Sequence, residues 1–259
     1  MVKFNRKNVR KFKRRGSNLG KRIATVEKQL RAGRETKIAR VSGELTISSA
    51  INSSGKLINL MPDILNNGDI TGNDTAGRIG SEIRLKKLVI KSWLRYAPTD
   101  VNNRVPVDEA NIMARLMILR QKDQQSSRGL ILGTNFVSES LLENGEFSQA
   151  NEFRNIMSPI NRKLFTVKQD RKLKLTNAVD TTDPNSDVEA NPYNFKINNK
   201  TIRFGKMGKK LTYSTETDIS QPYQFPWVYT GGYTTCNGSQ APFNSALLMY
   251  DITAYYTDA

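Results

Sequence analysis

The sequence predicts an all-β protein, a single eight-stranded antiparallel jelly roll preceded by a disordered basic arm. Three features of the 259-residue chain favour this fold class. Apolar and polar residues alternate in long runs, as in Ile83–Tyr96 and Ala246–Tyr256, which is the pattern of half-buried strands. Polar loops of very unequal length separate about eight such runs, the number that two Greek keys require. Positive charge is concentrated near the N-terminus.

The charge of the chain divides at about residue 40. The whole sequence contains 40 Lys and Arg against 24 Asp and Glu, a formal net charge of +16. Residues 1–40 hold 15 of these basic residues and 2 of the acidic ones, so they carry +13, and the rest of the chain carries only +3. We therefore predict a basic disordered nucleic-acid-binding arm over residues 1–36 and a nearly neutral jelly-roll domain over residues 37–259.

The arm is too polar to fold alone. It buries too little apolar area to offset its chain entropy, so we expect it to be disordered when free. Residues 23–31 place Ile23, Val26 and Leu30 at helical spacing, which predicts a short helix formed on contact with a partner. Release of condensed counterions favours binding of such an arm to nucleic acid. The predicted nucleic-acid-binding residues are Lys3, Arg6, Lys7, Arg10, Lys11, Lys13, Arg14, Arg15, Lys21 and Arg22.

Binding by the arm should be largely independent of base sequence. Phosphate contacts attract and position a nucleic acid but do not discriminate between bases. Phe4 and Phe12 lie among the basic residues and could stack on unpaired bases. The same basic run also fits a nuclear localisation signal, and a merely solubilising tail is the alternative interpretation.

Strands are predicted in order along the remaining chain. The first half contains Lys37–Ile51, the short run 56–61 that ends at Pro62, Ile83–Tyr96 and Ile112–Leu119. In the third of these runs Leu88, Ile90, Leu94 and Tyr96 share one face, and Lys87, Lys91 and Arg95 share the other. Residues 66–80 are predicted to form a Gly-rich loop.

The second half is less regular. Phe136–Leu142 is predicted to form one or two helical turns within a loop. Lys163–Thr176 is interpreted as two β segments joined by the charged residues Lys168–Lys172, and residues 180–192 as a loop. Lys200–Tyr213 offers two further β segments, and Ala246–Tyr256 is the last predicted strand.

An aromatic segment, Gln221–Tyr233, is predicted to lie at the surface. Pro222, Pro226 and a Gly pair argue against a regular central strand there. Large apolar side chains exposed to water usually mark an interface, so the segment predicts a contact between subunits. The residues assigned to that contact are Tyr223, Phe225, Trp227, Tyr229 and Tyr233.

The sequence gives little support for catalysis or metal binding, so we expect no enzyme activity, no cofactor and no metal. The sequence has no His and a single Cys, Cys236, which excludes Ser-His-Asp catalysis, a Cys/His zinc cluster and a disulfide within the chain. The lysines at positions 206, 209 and 210 lie near Gly205 and Gly208 but lack the Gly-Lys-Ser/Thr ending of a phosphate loop. Asp69, Asn73 and Asp74 do not have EF-hand spacing.

Short motifs in the sequence resemble a known family. The run Gly77–Leu88 (GRIGSEIRLKKL), preceded by a Gly-rich loop, resembles the start of the capsid jelly roll in small circular Rep-encoding single-stranded DNA viruses, the group related to circoviruses and nanoviruses. Phe165–Val167 followed by Lys172–Leu175 resembles the central strand region of these capsid proteins. Leu247–Tyr256 resembles their last strand, and the Lys/Arg-rich arm is typical of them.

The resemblance implies a capsid protein with a viral-coat jelly roll. It implies self-assembly into an icosahedral shell, most simply T = 1 with about 60 copies, that packages single-stranded DNA through the arm. The expected partners are single-stranded nucleic acid and further copies of the chain, and the expected locations are the virion and, during assembly, the host nucleus. No membrane partner is expected, because no window approaches the roughly 20 apolar residues of a membrane span.

Two other classes of function remain open at this point. The coat protein of a small or satellite single-stranded RNA virus would have a similar arm and jelly roll. A cellular nucleic-acid-binding protein with a basic tail, such as a ribosomal or chromatin component, would usually carry positive charge over its folded surface as well. A jelly-roll enzyme of the cupin type is disfavoured, because it would need His ligands and the sequence has none.

Overall fold

The computed structural model describes residues 20–26, 36–51, 57–66, 77–96, 111–123, 136–148, 152–176, 195–214, 221–223, 225–235 and 246–259. Strands predominate, in the order β1 (Lys37–Ile47), β2 (Leu57–Asn59), β3 (Glu82–Tyr96), β4 (Asn111–Gln121), β5 (Phe165–Thr176), β6 (Phe195–Arg203), β7 (Lys209–Thr212), β8 (Trp227–Thr235) and β9 (Ala246–Asp258). Residues 20–26 are helical, and Glu152–Met157 forms a short helix between β4 and β5.

The strands form two antiparallel sheets. Sheet A has the order β1-β9-β3-β6, and β7 pairs with the first residues of β3, beyond the stretch that pairs with β6. Sheet B has the order β2-β8-β4-β5. All pairings among the nine described strands are antiparallel, which confirms the prediction of an antiparallel all-β fold. The described residues contain nine strands, however, where about eight were predicted.

Strand β3 follows the predicted alternation. Leu88, Ile90 and Leu94 are fully buried, whereas Lys91 and Arg95 are exposed and Lys87 is partly exposed on the opposite face. The side chain of Tyr96, predicted for the buried face, lies outside the described part of the structure. The register between β3 and β9 shifts between residues 85 and 87, as in a β-bulge. The turn between β6 and β7 lies against this bulge, where Gly208 has a positive φ of 74° and a Cβ would lie 2.8 Å from the carbonyl oxygen of residue 85. Only glycine fits there, so the turn and the bulge are matched.

The main core lies between the two sheets. Period-two alternation sends every second side chain of a strand to the same face, and in both sheets one such face is apolar. Sheet A contributes Leu88, Ile90, Leu94, Leu248 and Ile252, and sheet B contributes Ile112, Leu116, Ile118, Tyr229 and Tyr233. The sheets are therefore held together by one continuous set of buried aliphatic and aromatic side chains.

A second core covers the outer face of sheet B. Met117 and Leu119 of β4, Phe165 of β5 and Val228 of β8 point away from the main core. They pack against buried residues from the segment between β4 and β5, namely Phe136, Leu141, Leu142, Phe147 and Ile160. This outer face is consequently closed to solvent where the segment lies.

Three local predictions need correction. Part of the supposed surface segment Gln221–Tyr233 is strand β8, which lies between β2 and β4. Within the segment Lys163–Thr176, residues 165–176 form a single strand, β5, because a register shift at residues 167–169 accommodates its charged middle. Phe136–Leu142 is not helical; the described helix in this region is Glu152–Met157.

The Gly pair in β8 explains why a central strand was not predicted there. A Cβ on Gly231 would lie 2.7 Å from Leu116 Cδ2, and a Cβ on Gly232 would collide with the ring of Phe147. Glycine is therefore needed at both positions, so that neighbouring side chains can pack directly on the backbone of β8. Pro222 and Pro226 precede the strand, which begins at Trp227, and so they do not interrupt its hydrogen bonds.

Other predictions lie partly outside the described residues. The helix predicted for residues 23–31 is helical over its described part, up to residue 26. Most of the loop at 66–80 and all of the loop at 180–192 lie outside the described part of the chain.

Candidate nucleic-acid interface

Two of the ten predicted nucleic-acid-binding residues lie in the described part of the chain. Lys21 and Arg22 belong to helical residues 20–26, all of which are exposed. In this segment the hydroxyl of Thr25 donates a 2.9 Å hydrogen bond to the carbonyl oxygen of residue 21. Both cations are thus accessible to a partner. The other eight, Lys3, Arg6, Lys7, Arg10, Lys11, Lys13, Arg14 and Arg15, lie outside the described residues, and their role stays a prediction.

The folded body begins at an anchored residue. Lys37 opens β1, and its ammonium group lies 2.7 Å from the Asp258 carboxylate at the end of β9. The same group donates a 2.8 Å hydrogen bond to the carbonyl oxygen of Gly77. The side chain is mostly buried, so this ion pair is better shielded than a surface pair. It fixes the start of the strand that directly follows the predicted arm.

The outer face of sheet A carries a basic surface. In β3 the side chains opposite to the buried set point to solvent, and cross-strand neighbours on β1, β9 and β6 share that face. We call this surface the basic face, defined by the outward basic residues Arg40, Arg84, Lys87, Lys91, Arg95 and Arg203. The outward acidic side chains on these strands are Glu44, Glu82 and Asp251, and Glu82 is paired with Lys210, so positive charge prevails there.

Most cations of the basic face are free to bind an anion. Lys87 lies over the ring of Tyr255, with its ammonium nitrogen 3.9 Å from the ring centroid. Among the residues that the structure describes, none forms an ion pair with Arg40, Lys91, Arg95 or Arg203. Exposed guanidinium and ammonium groups of this kind can contact phosphate oxygens at little desolvation cost.

The lysines near the β6–β7 turn behave differently from one another. Lys209 is half-buried with its ammonium nitrogen 5.1 Å from the centroid of Phe225, and burial lowers its pKa. Lys210 forms a 2.7 Å ion pair with Glu82. Lys206 is exposed in the turn itself. The three therefore do not converge on one phosphate-sized site.

The aromatic residues predicted for a subunit contact are mostly in the core. Phe225, Trp227, Tyr229 and Tyr233 are buried inside the chain, between or beside the sheets. The prediction assumed that they face water, and this premise is wrong, because β8 is a central strand whose two faces are both covered. Tyr223, half of whose surface is exposed, is the one of the five that could still take part in a contact.

The basic face also carries an aromatic residue that was not predicted as a site residue. Trp93 lies between Lys91 and Arg95 on the outward side of β3, and nearly half of its surface (48%) is exposed. Its position was visible in the alternation, because residues 91, 93 and 95 point to the same side of a strand. Phe195 and Ile197 of β6 lie beside Trp93 and are also exposed. The sequence alone did not show that they lie on the outer face, because this depends on the pairing of β6 with β3.

No protein-family profile matches the chain, and no curated protein matches it significantly. Within the described ranges, no helix has the length and apolar character needed to cross a membrane. Those same ranges hold no group of three or more His, Cys, Asp or Glu side chains placed to bind a metal ion, and the predicted acidic loop with Asp69, Asn73 and Asp74 lies outside them.

Proposed function

We propose that this chain is a structural coat protein that assembles into a closed shell and packages single-stranded DNA through its basic arm. The path of the chain through the two sheets carries the proposal. Because β6 and β7 pair with successive stretches of β3, we count them as one interrupted strand. Each sheet then has four strands, and consecutive strands alternate between the sheets except for the step from β4 to β5.

This alternation is what a viral-coat jelly roll requires. Two Greek keys folded over each other place sequence neighbours in opposite sheets and bring the first and last strands together. Here β1 is paired with β9 along its whole length, from Lys37 opposite Tyr256 to Ile47 opposite Ala246. Lectins and cupins also use jelly rolls, so the fold alone does not define a function. The basic arm distinguishes the coat protein from these.

Electrostatics gives the arm its role in the proposed shell. With about 60 copies in a closed assembly, the N-terminal residues 1–40, which carry +13 in each copy, could neutralise roughly 800 phosphates. Without a polyanion, the same charges would repel one another across the enclosed space. Packaging and closure are therefore coupled. The arm would also serve as a nuclear import signal, which fits assembly in the host nucleus.

The choice of single-stranded DNA rests on the resemblance to capsid proteins of small circular DNA viruses. The body supports a coat protein over a cellular basic-tailed protein, because residues 41–259 carry a net charge of only +3. The arm's phosphate contacts attract RNA as well as DNA. The coat protein of a small RNA virus therefore remains the alternative.

Negative-stain electron microscopy of the purified full chain tests the proposal. Nucleic acid is first removed at high salt, and the subunits are then returned to low salt alone, with single-stranded DNA, or with RNA of equal length. We expect uniform closed particles, formed most readily with DNA. Particles that form with RNA but not with DNA would favour the alternative, and subunits that stay monomeric under every condition would overturn the shell.

A further inference from the structure

The basic face carries an exposed apolar cluster at one end. Trp93 of β3 lies directly opposite Ile197 of β6, and the next pair on this face is Arg95 with Phe195. The exposed fractions are 48% for Trp93, 56% for Ile197 and 46% for Phe195. Side chains of this size are normally buried, so three neighbours left in water on one sheet face mark a binding surface.

The indole of Trp93 is held in place on the sheet. Its Nε1–H donates a 2.9 Å hydrogen bond to Sδ of Met249 on β9, the residue directly opposite Trp93. Beside it, a groove of about 560 Å³ is lined by Trp93, Lys91, Met249, Glu44 and Asp251. A fixed aromatic ring at the side of a groove loses little freedom when a flat ligand packs against it.

Charge decides which partner fits this cluster. Lys91 and Arg95 flank Trp93 on the same strand and the same face, at the roughly 7 Å spacing of alternate strand residues. A second copy of the chain docked by a two-fold axis would bring the same cations against them. An unpaired nucleic acid satisfies both features, because its bases stack on aromatic rings while its phosphates contact cations.

We propose that Trp93 is a base-stacking site for single-stranded nucleic acid on the folded body, with Lys91 and Arg95 contacting the adjoining phosphates. Glu44 and Asp251 in the groove repel phosphate, so the groove receives a base and the backbone runs beside the two cations. Every base offers a π-face, so the site takes bases of any identity. It is separate from the arm and does not depend on the closed shell.

Tryptophan fluorescence of the full chain reports on this site directly. The sequence contains two tryptophans, and the other, Trp227, is buried. The difference in emission between the parent and W93A therefore measures Trp93 alone. We expect an oligothymidylate of about 20 nucleotides, longer than the roughly 4–16 nucleotides of common single-strand sites, to quench most of that emission. Heparin, which supplies negative charge without bases, should leave it nearly unchanged.

Affinity measurements on variants complete the test. By anisotropy of a labelled oligonucleotide, W93A should bind about tenfold more weakly than the parent, the effect of one lost stacking contact. W93F should recover most of the affinity, and heparin affinity should be the same in all three proteins. M157A is the control, because Met157 is a large apolar residue of similar exposure (58%) on the helix that lies over sheet B, and the variant should bind like the parent.

The outcomes separate this site from the arm. If the labelled oligonucleotide saturates the full chain while Trp93 emission stays constant, the arm binds nucleic acid and the stacking site does not exist. Equal quenching by heparin would also overturn stacking, since it would reflect charge alone. If W93A alters the sedimentation of the protein but not its oligonucleotide affinity, the cluster is a contact between copies, and the proposal fails.

Discussion

The amide of Asn198 donates a 2.9 Å hydrogen bond to the phenol oxygen of Tyr229 and so joins the two sheets inside the core. Asn198 belongs to β6 in sheet A and Tyr229 to β8 in sheet B. The Ser92 hydroxyl lies 2.8 Å from the same phenol, and the amide oxygen of Asn198 accepts hydrogen bonds from Gln169 and Arg171 of β5. Neighbouring apolar contacts are non-directional, so this network fixes how the sheets align.

Replacing Tyr229 by Phe should destabilise the body without changing its packing volume. The change removes the hydroxyl and leaves the buried Asn198 amide short of an acceptor, which costs about 1–2 kcal/mol. Urea unfolding should show a lower midpoint at an unchanged m-value. Y223F removes a hydroxyl from a half-exposed ring and serves as the control. If Y229F changes subunit association and leaves the midpoint unchanged, Tyr229 belongs to an interface after all.

Buried tyrosines should make the fold sensitive to alkali. Burial raises the pKa of Tyr213, Tyr229 and Tyr256 above the ordinary value of about 10. Above that pH the unfolded chain releases protons that the folded chain retains. The free energy of unfolding is therefore at its full value below about pH 10 and falls as pH rises beyond it, by up to about 1.4 kcal/mol per pH unit for each tyrosine.

Urea unfolding between about pH 8 and pH 11 measures this fall. Y229F should show a shallower slope above pH 10, because one buried phenol has been removed. Tyrosinate absorbance supplies a second readout, and the buried rings should ionise only together with unfolding. A flat stability profile, with all tyrosines titrating near pH 10 in the folded protein, would contradict the burial.

A buried arginine holds the segment over sheet B in place. Arg115 of β4 makes a two-pronged contact with Asp170 of β5, at 2.7 Å from Nε and 2.6 Å from Nη2. Its remaining Nη1 donates to the carbonyl oxygens of Asn155 and Ser158, at the end of the helix Glu152–Met157. Because the guanidinium is almost completely buried, the carboxylate is its necessary counterion.

Asp170→Asn should therefore destabilise the body by about 2–3 kcal/mol, less than for a fully buried pair because the carboxylate is partly exposed. Limited proteolysis should then cut the segment around residues 136–160 faster than in the parent. D123N is the control. It neutralises an exposed aspartate just beyond the end of β4 and should change neither readout. Equal stability of D170N and D123N would show that Arg115 needs no counterion.

Gly232→Ala tests the close packing on β8. The added methyl group would collide with the buried ring of Phe147, so one of the two must move. Overpacking of this kind costs about 1–3 kcal/mol. G20A is the matched control, because nothing lies within 4 Å of a Cβ at that helical position, and it should leave thermal stability unchanged or raise it. A G232A protein as stable as the parent would mean that Phe147 does not rest on this strand.

The sequence predicts elements that follow from a local residue pattern, and it does not predict elements that depend on contacts between residues far apart in the chain. The alternation in β3 and β9 is a local property, so both strands were predicted correctly, as was the burial of Leu88, Ile90 and Leu94 on one face of β3. Strand β8 was not predicted, because its glycines make sense only beside Leu116 and Phe147, which are distant in sequence. The second core and the outward Trp93 cluster were not predicted for the same reason. The members of the Trp93 cluster come together only through the pairing of β3 with β6.

The final prediction concerns the arm. Replacing Lys11, Lys13, Arg14 and Arg15 by Ala should lower nucleic-acid binding with little change in fold, because we expect no core contact from these residues. Each lost phosphate contact to a single strand reduces the slope of log affinity against log salt by about 0.7, so the four together should reduce it by roughly 3. Binding titrations at several salt concentrations measure that slope.

A body variant of equal charge separates the arm from total charge. Alanine at four exposed lysines of the body, Lys163, Lys172, Lys174 and Lys206, removes the same four charges. It should reduce the slope much less than the arm variant does, because Lys172 and Lys174 share one face of β5 while Lys163 and Lys206 lie in turns before β5 and between β6 and β7. Equal slopes for the two variants would mean that only the net charge matters.

Salt should act on filled and empty shells in opposite directions. In filled particles it weakens the attraction between arm and phosphate by reducing the gain from counterion release. In empty particles it screens the repulsion between arms and makes closure easier. The absorbance ratio at 260 and 280 nm and the sedimentation of particles, arm variant against parent at low and high salt, report both effects. If the arm variant packages as much nucleic acid as the parent, the arm is not the packaging element, and another surface of the body must hold the cargo.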